Sequence, residues 1–214
     1  MAVFCLTVAA CAQTVNVTAH VAHAPSDVVI WLEPTGNTPD AKPAPGHFEL
    51  VQKDKKFSPH LLVVPVGSSI SFPNRDPFFH NVFSYFNGKR FDLGLYEAGS
   101  TRSVSFNRQG VSYIFCNIHP DMSAVILAIA TKYFSVANTQ GQFLLRDVPA
   151  GDYTLHVWTD GADLLTPPPS PQVVHVAPGH ADLGEISVPN APAVTPNHKN
   201  KFGNAYQPTA ESPY

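Results

Sequence analysis

A chain of 214 residues with 44% apolar and 14% charged residues can bury a core, and has room for one large or two small domains. Its net charge of −3 at pH 7 supplies no basic patch and argues against a nucleic-acid partner. Twenty-one prolines, frequent aromatic residues and short alternating runs bounded by Gly, Pro, Asn and Asp, without long helical periodicity, predict an all-β fold.

Residues 1–12, MAVFCLTVAACA, are a short apolar run ending in small residues, as in the remnant of a secretory signal, with Ala10-x-Ala12 before Gln13 as the cleavage site. Val8-Ala-Ala-Cys11 also fits a lipoprotein processing site, which would leave a lipid anchor on Cys11. An ordinary first strand is the plainer alternative, since the run is too short to span a membrane. Cleavage is the preferred reading and predicts an exported protein, periplasmic or extracellular. Of three cysteines, Cys116 alone then remains. It could form no internal disulfide and would be open to oxidation unless something such as a metal held it.

Two candidate strands follow, Thr14 to Val21 with apolar residues at alternate positions, and Asp27 to Leu32. Residues 34–47 are rich in Pro, Gly and small residues and read as a linker. His20, His23 and His47 read as solvated side chains. His60 to Val66 is an apolar strand, with His60 an edge histidine, and Gly67-Ser68-Ser69 turns it into Ser69 to Phe72. Asn74-Arg75-Asp76-Pro77 is a turn cluster that delivers Phe78, Phe79 and His80 to one end of a sandwich. Ser103 to Phe106 alternates, Asn107 to Gly110 turns, Val111 to Phe115 runs up to Cys116, and Ser123 to Ala130 is a last β-branched strand.

Chemistry concentrates in Cys116-Asn-Ile-His119-Pro-Asp-Met122, where a thiolate, an imidazole and a thioether lie within seven residues. Taken singly, Cys116 is a small buried hydrophobe, Met122 is core filler and His119 is a polar loop residue. Together with the upstream His80 they are the ligand set of a mononuclear copper electron-transfer site. The thiolate and two imidazoles form a trigonal plane, and the thioether makes a weak, long axial contact.

From Phe57 onward the chain resembles the cupredoxins of the plastocyanin and amicyanin type. The matching residues are Phe57-x-Pro59, Val64-x-x-Gly67-Ser-x-Ile70-x-Phe72-x-Asn74-x-Asp76, His80-Asn81-Val82 and Tyr113-x-x-Cys116-x-x-His119-x-x-Met122. The two-residue gap between His119 and Met122 is closer to amicyanin than to plastocyanin. The likeness covers roughly residues 50–131. It implies a Greek-key β-sandwich with one type 1 (blue) copper per chain, bound by His80, Cys116, His119 and Met122. It also implies that Asn81 ties the two ligand segments together by hydrogen-bonding to the Cys116 loop. The edge of His119 becomes the electron port, with Phe78, Phe79 and Pro120 around it to dock an electron donor and acceptor. Such a protein carries single electrons and is not an enzyme, and no Gly-rich phosphate loop, Gly-x-Ser-x-Gly elbow or paired-cysteine motif argues otherwise.

Residues 133–188 change character. Gly141 to Trp158 is a strand, a Pro149-Ala-Gly-Asp152 turn and a second alternating strand, and it resembles the small β-sandwich of the carboxypeptidase-regulatory and transthyretin-like group. Asp27 to Pro34 resembles an early strand of the same module. The expected organisation is a copper domain at 43–131 inserted in, or in tandem with, a small Ig-like or transthyretin-like sandwich made from 13–35 and 133–188. His156, His175 and His180 fall on its strands and turns as structural residues, and Pro167 to Pro171 is a stiff loop. Residues 189–214 are polar, rich in Pro and Asn, and expected to be disordered. Two functions from different classes stand at this point. One is an exported carrier between redox partners. The other is a copper storage, delivery or sensing module, or a protein whose second sandwich binds carbohydrate or cell wall.

Overall fold

Alternation along the first strand decides which way it faces. In β1 (Thr14–His20), Val15, Val17 and Ala19 are buried while Thr14, Asn16 and His20 are exposed. A strand of that pattern covers a core on one side only. It lies between β14 (Gln142–Pro149), antiparallel, and β17 (Ala181–Glu185), parallel. This three-stranded sheet packs on a four-stranded one, in the order β13 (Phe134–Val136), β2 (Val28–Pro34), β15 (Gly151–Thr159), β16 (Gln172–Val176). Val17, Ala19, Phe143 and Leu145 from one sheet meet Ile30, Leu32, Leu155 and Val157 from the other. The fold is a computed structural model describing residues 14–22, 27–85, 88–160, 170–179, 181–188 and 199–206.

A second sandwich occupies the middle of the chain. Its outer sheet orders β10 (Thr101–Phe106), β7 (Ser68–Pro73) and β3 (His47–Glu49). Its inner sheet orders β6 (Leu61–Pro65), β12 (Ser123–Ile129), β11 (Gly110–Phe115), β8 (His80–Ser84) and β9 (Phe91–Tyr96). The hairpin of β4 (Val51–Lys53) and β5 (Lys56–Ser58) adjoins it. Ile70, Phe72 and Phe106 pack against Val64, Val82, Ile114 and Ile126 between the two sheets. The chain is all-β, with no helix among the described residues.

The two sandwiches share a third apolar layer. Val125, Leu127 and Ile129 of β12 point away from their own core, with Leu61 and Val63 beside them, and meet Val29, Trp31 and Trp158. Strands β2 and β12 are therefore buried on both faces, which is why they read as continuous apolar runs rather than alternating ones. Polar contacts rim this layer. Glu33 accepts from Trp31 Nε1 at 3.1 Å and also from Gln109 Nε2, and His60 Nε2 lies 3.0 Å from Asp160 Oδ2.

Strand pairing divides cleanly along the chain. Strands β1 and β2 hydrogen-bond to β13, β14, β15 and β17, all of which follow residue 133. Strands between 47 and 129 pair only among themselves among the described residues. At the Pro149–Asp152 turn Gly151 adopts φ +156, and a Cβ there would lie 2.6 Å from Thr38 Oγ1, which itself accepts the Asp152 N–H.

Within the stretch expected to be disordered, residues 199–206 are described. That segment folds into a tight turn and docks on the inner sheet's loops, because its polar groups find partners there. The expected leader with Cys11, the histidines His23 and His180, part of the Pro167–Pro171 loop, and residues 189–198 and 207–214 lie outside the described residues. Among those described, no helix is long and apolar enough to cross a membrane.

Candidate metal centre

Three strands of the inner sheet bring the predicted ligands to one end. Strand β8 begins at His80, β11 ends one residue before Cys116, and β12 begins one residue after Met122. Phe115 pairs with Ser123 on one side and Phe83 on the other, so the Cys116–Met122 loop is pinned beside the start of β8. Within it, Met122 N–H donates to His119 O at 3.1 Å and Cys116 N–H to Met122 O at 3.3 Å.

The side chains converge. Cys116 Sγ is 3.8 Å from His80 Nδ1 and 3.7 Å from His119 Nδ1, and the two Nδ1 atoms are 3.2 Å apart. All three donor atoms lie within 4.8 Å of one another. His80 and Cys116 have no exposed surface, and His119 is half-buried. Met122 is buried in the same core cluster as Cys116. The N-S-N set has the composition that a thiophilic metal requires, and each donor is held by backbone on a paired strand or a short loop.

Asp76 supports this cluster, a role that sequence reasoning missed. Its Oδ2 is 2.8 Å from His80 Nε2. A carboxylate can only accept, so His80 donates from Nε2 and turns the lone pair of Nδ1 toward Cys116. Asp76 also accepts the N–H groups of Asp54 at 2.7 Å and Lys55 at 3.0 Å. Burial pushes its carboxyl up, yet the bonds from His80, Lys55 and Asp54 prevail and hold it below the usual carboxylate range. The available signal was its place four residues before His80, in a cluster that also reads as a plain turn.

Electrostatics keep the other donors neutral. Burial lowers His80 more than Asp76 raises it. Burial, with the positive potential of His80 and Lys55, brings His119 down to about 4. Burial pushes the Cys116 thiol up, opposed by backbone N–H groups of Asn81, Ile118 and His119 that point at the sulfur. Metal binding at neutral pH would therefore displace a proton from the thiol and none from the histidines.

The remaining predicted residues divide. Phe78 is half-buried, its ring centroid 5.2 Å from that of His80 and 5.6 Å from that of His119, so it packs over the donors. Phe79 is 54% exposed, and Ile118 and Pro120 are exposed beside His119. Asn81 reaches the Cys116 loop through its backbone. Its side-chain Nδ2 donates to Asp92 Oδ1 at 2.8 Å, and only its backbone N–H faces Cys116. Asp92 sits on the neighbouring β9. His60 lies on the outer face of the inner sheet, paired with Asp160.

No protein-family model and no curated protein matches the sequence. Solved structures do match part of it, and those compared are cupredoxins or contain copper. A purple cupredoxin from Nitrosopumilus maritimus is 22% identical, with a TM-score of 0.35, over 38% of this chain and 98% of its own. A reduced amicyanin variant is 19% identical, with a TM-score of 0.37, over 47% of this chain and 98% of its own. A copper-containing nitrite reductase from Thermus scotoductus is 22% identical, with a TM-score of 0.37, over 45% of this chain, which spans only 25% of that enzyme.

Proposed function

We propose that this chain is an exported blue copper protein of the cupredoxin type, which carries single electrons between partner redox proteins and catalyses no bond chemistry. His80, Cys116 and His119 would hold one type 1 copper, with Met122 as the weak axial ligand. The observation that carries this reading is the convergence of one Sγ and two Nδ1 atoms within 4.8 Å in a buried pocket. A bound copper supplies a one-electron couple there.

The protein's part is to hold that donor set still. The β8, β11 and β12 ladders fix the backbone on either side of the ligands, and Asp76 fixes the His80 ring. Phe78 packs against both imidazoles, and of the three clustered donors His119 alone is half-exposed. Phe79, Ile118 and Pro120 border that edge as a small apolar face, suited to a brief encounter with a redox partner. The strand pairing supports a copper domain inserted into a transthyretin-like sandwich, and the apolar layer between the two holds them as one unit.

A visible spectrum tests this. The copper-loaded protein should absorb intensely through thiolate-to-copper charge transfer. Cys116→Ser should lose the band and most of its Cu(I) affinity while keeping the far-UV signature of the fold. A colourless copper-loaded protein, or a coloured Cys116→Ser, would remove the assignment.

A further inference from the structure

Residues 199–206 come from beyond the last strand of the flanking sandwich, yet they touch one of the segments that carry the clustered donors directly and reach the other through Asp92. The Tyr206 hydroxyl donates to the carbonyl of Cys116 at 2.8 Å. The Lys201 N–H donates to Asn117 Oδ1 at 2.9 Å. Lys201 Nζ lies 2.9 Å from Asp92 Oδ2, and the other oxygen of Asp92 accepts Asn81 Nδ2 at 2.8 Å, next to His80. One short segment thus bonds the Cys116 loop directly and the His80 strand through Asp92.

The segment is built to hold that position. Asn200 Oδ1 accepts the N–H groups of Phe202 and Asn204, both at 3.0 Å, and Asn200 N–H donates to Asn204 O at 2.8 Å. This closes a turn that presents Lys201 and Tyr206 to the loop. Lys201 and Tyr206 are half-buried against their partners, whereas Phe202 between them is 72% exposed. The polar residues therefore carry the docking, and the aromatic ring points to solvent.

We infer that residues 199–206 are a clasp on the metal loop, with Tyr206 and Lys201 as positioning residues that restrain opening around Cys116. Opening the loop requires breaking the Tyr206 and Lys201 bonds in addition to those inside the loop. The clasp thus governs how fast the buried sulfur is reached, by a reagent in the metal-free protein or by a competing chelator in the loaded one.

The inference rests on the copper reading only for its metal-release measurement, so the first test uses the full-length metal-free chain. Alkylation of Cys116 by iodoacetamide is timed for wild type, Tyr206→Phe, Lys201→Met and the double variant, with amide exchange across residues 117–121 beside it. Tyr206→Phe, which loses a bond to the loop itself, should react roughly fivefold faster, the size expected when a hydrogen bond restraining a local opening is lost. Lys201→Met, which loses the Asp92 contact but keeps its backbone N–H on Asn117, should react faster by less, and the double variant faster than either. The thermal midpoint should stay within about 2 °C, since the core is untouched. In the copper-loaded protein, transfer of Cu(I) to a chelator should accelerate in the same order. Wild-type alkylation and exchange rates in the double variant would overturn the clasp. So would global unfolding of Tyr206→Phe, because the contact would then be part of the fold. If the chain binds no copper, the copper reading fails alone, and alkylation and exchange still decide the clasp.

Discussion

The two sandwiches are built alike and filled differently. The flanking one buries aliphatic and aromatic side chains with the polar Thr159, and its buried tyrosine Tyr153 satisfies its hydroxyl on Pro149 O at 2.8 Å. The central one buries Gln52, Ser68, Asn74, Asp76, His80, Asn81, Ser84 and Ser112 as well, each at 5% exposure or less. Burying polar groups costs stability unless each is paired, and among the described residues Gln52 Oε1, Asn81 Oδ1 and Ser84 Oγ have no hydrogen-bond partner, against His156 Nε2 alone in the flanking sandwich. A scaffold that needed only to fold would resemble the flanking sandwich. The polar interior of the central one holds two of the proposed donors and the carboxylate that orients His80.

That contrast can be broken most visibly by paired substitutions. Leu145→Ala, at a fully buried site of the flanking core, should lower unfolding free energy by about 2–5 kcal/mol in denaturant titration. It should leave the charge-transfer band of the copper-loaded protein in place, whereas Cys116→Ser does the reverse. If Leu145→Ala abolished the band as well, the two regions could not be separated in this way.

Asp76→Asn sharpens the comparison inside the polar half. It keeps shape but removes the anionic acceptor of His80 Nε2, so metal affinity should fall roughly 10- to 100-fold in chelator competition. The reduction potential should rise, because a less basic imidazole stabilises Cu(II) less. Unaltered affinity and potential would confine Asp76 to holding the Lys53–Lys56 turn. A smaller effect is expected of Met122→Leu, which conserves volume and should cost below about 1.5 kcal/mol of stability. It should retain colour and raise the potential by removing an axial donor. Loss of copper would contradict an axial role.

The smallest effect belongs to the seam between the halves. The hydrogen bond to Asp160 outweighs burial and raises His60 above its ordinary 6.5. A raised folded pKa contributes stability that is complete below the unfolded pKa and is lost as pH rises through the folded one. Asp27, nearby, and Asp160 both favour the cation. The stability difference between wild type and His60→Gln should therefore be largest near pH 6 and shrink toward pH 8.5. With the imidazole 46% exposed, the difference should stay below about 1 kcal/mol. A difference independent of pH would show that the pair is not charge-assisted.

Strands covering one core were the easiest to read. Val15-x-Val17, Ile70-x-Phe72 and the run into Phe106 alternate, and their ends moved by only a residue or two. Strand β8 was harder, because every position of His80–Ser84 is buried although three of the five are polar. No hydropathy period marks such a strand. β9 hides likewise behind Gly94 and Asp92, and the β4–β5 hairpin behind lysines.

The types, order and spacing of the donors were set by sequence alone, because a thiolate, an imidazole and a thioether at 116, 119 and 122 have few other uses together. So was the all-β character, through period and turn residues. Tertiary structure alone decided that His80 Nε2 meets Asp76, that Asn81 turns to Asp92, and that Tyr206 reaches the carbonyl of a residue 90 positions earlier. Those contacts join segments whose local patterns carry no mark of one another. They exist only once the sheets have paired, since the loops they connect are neighbours in space by strand order and not by position in the chain.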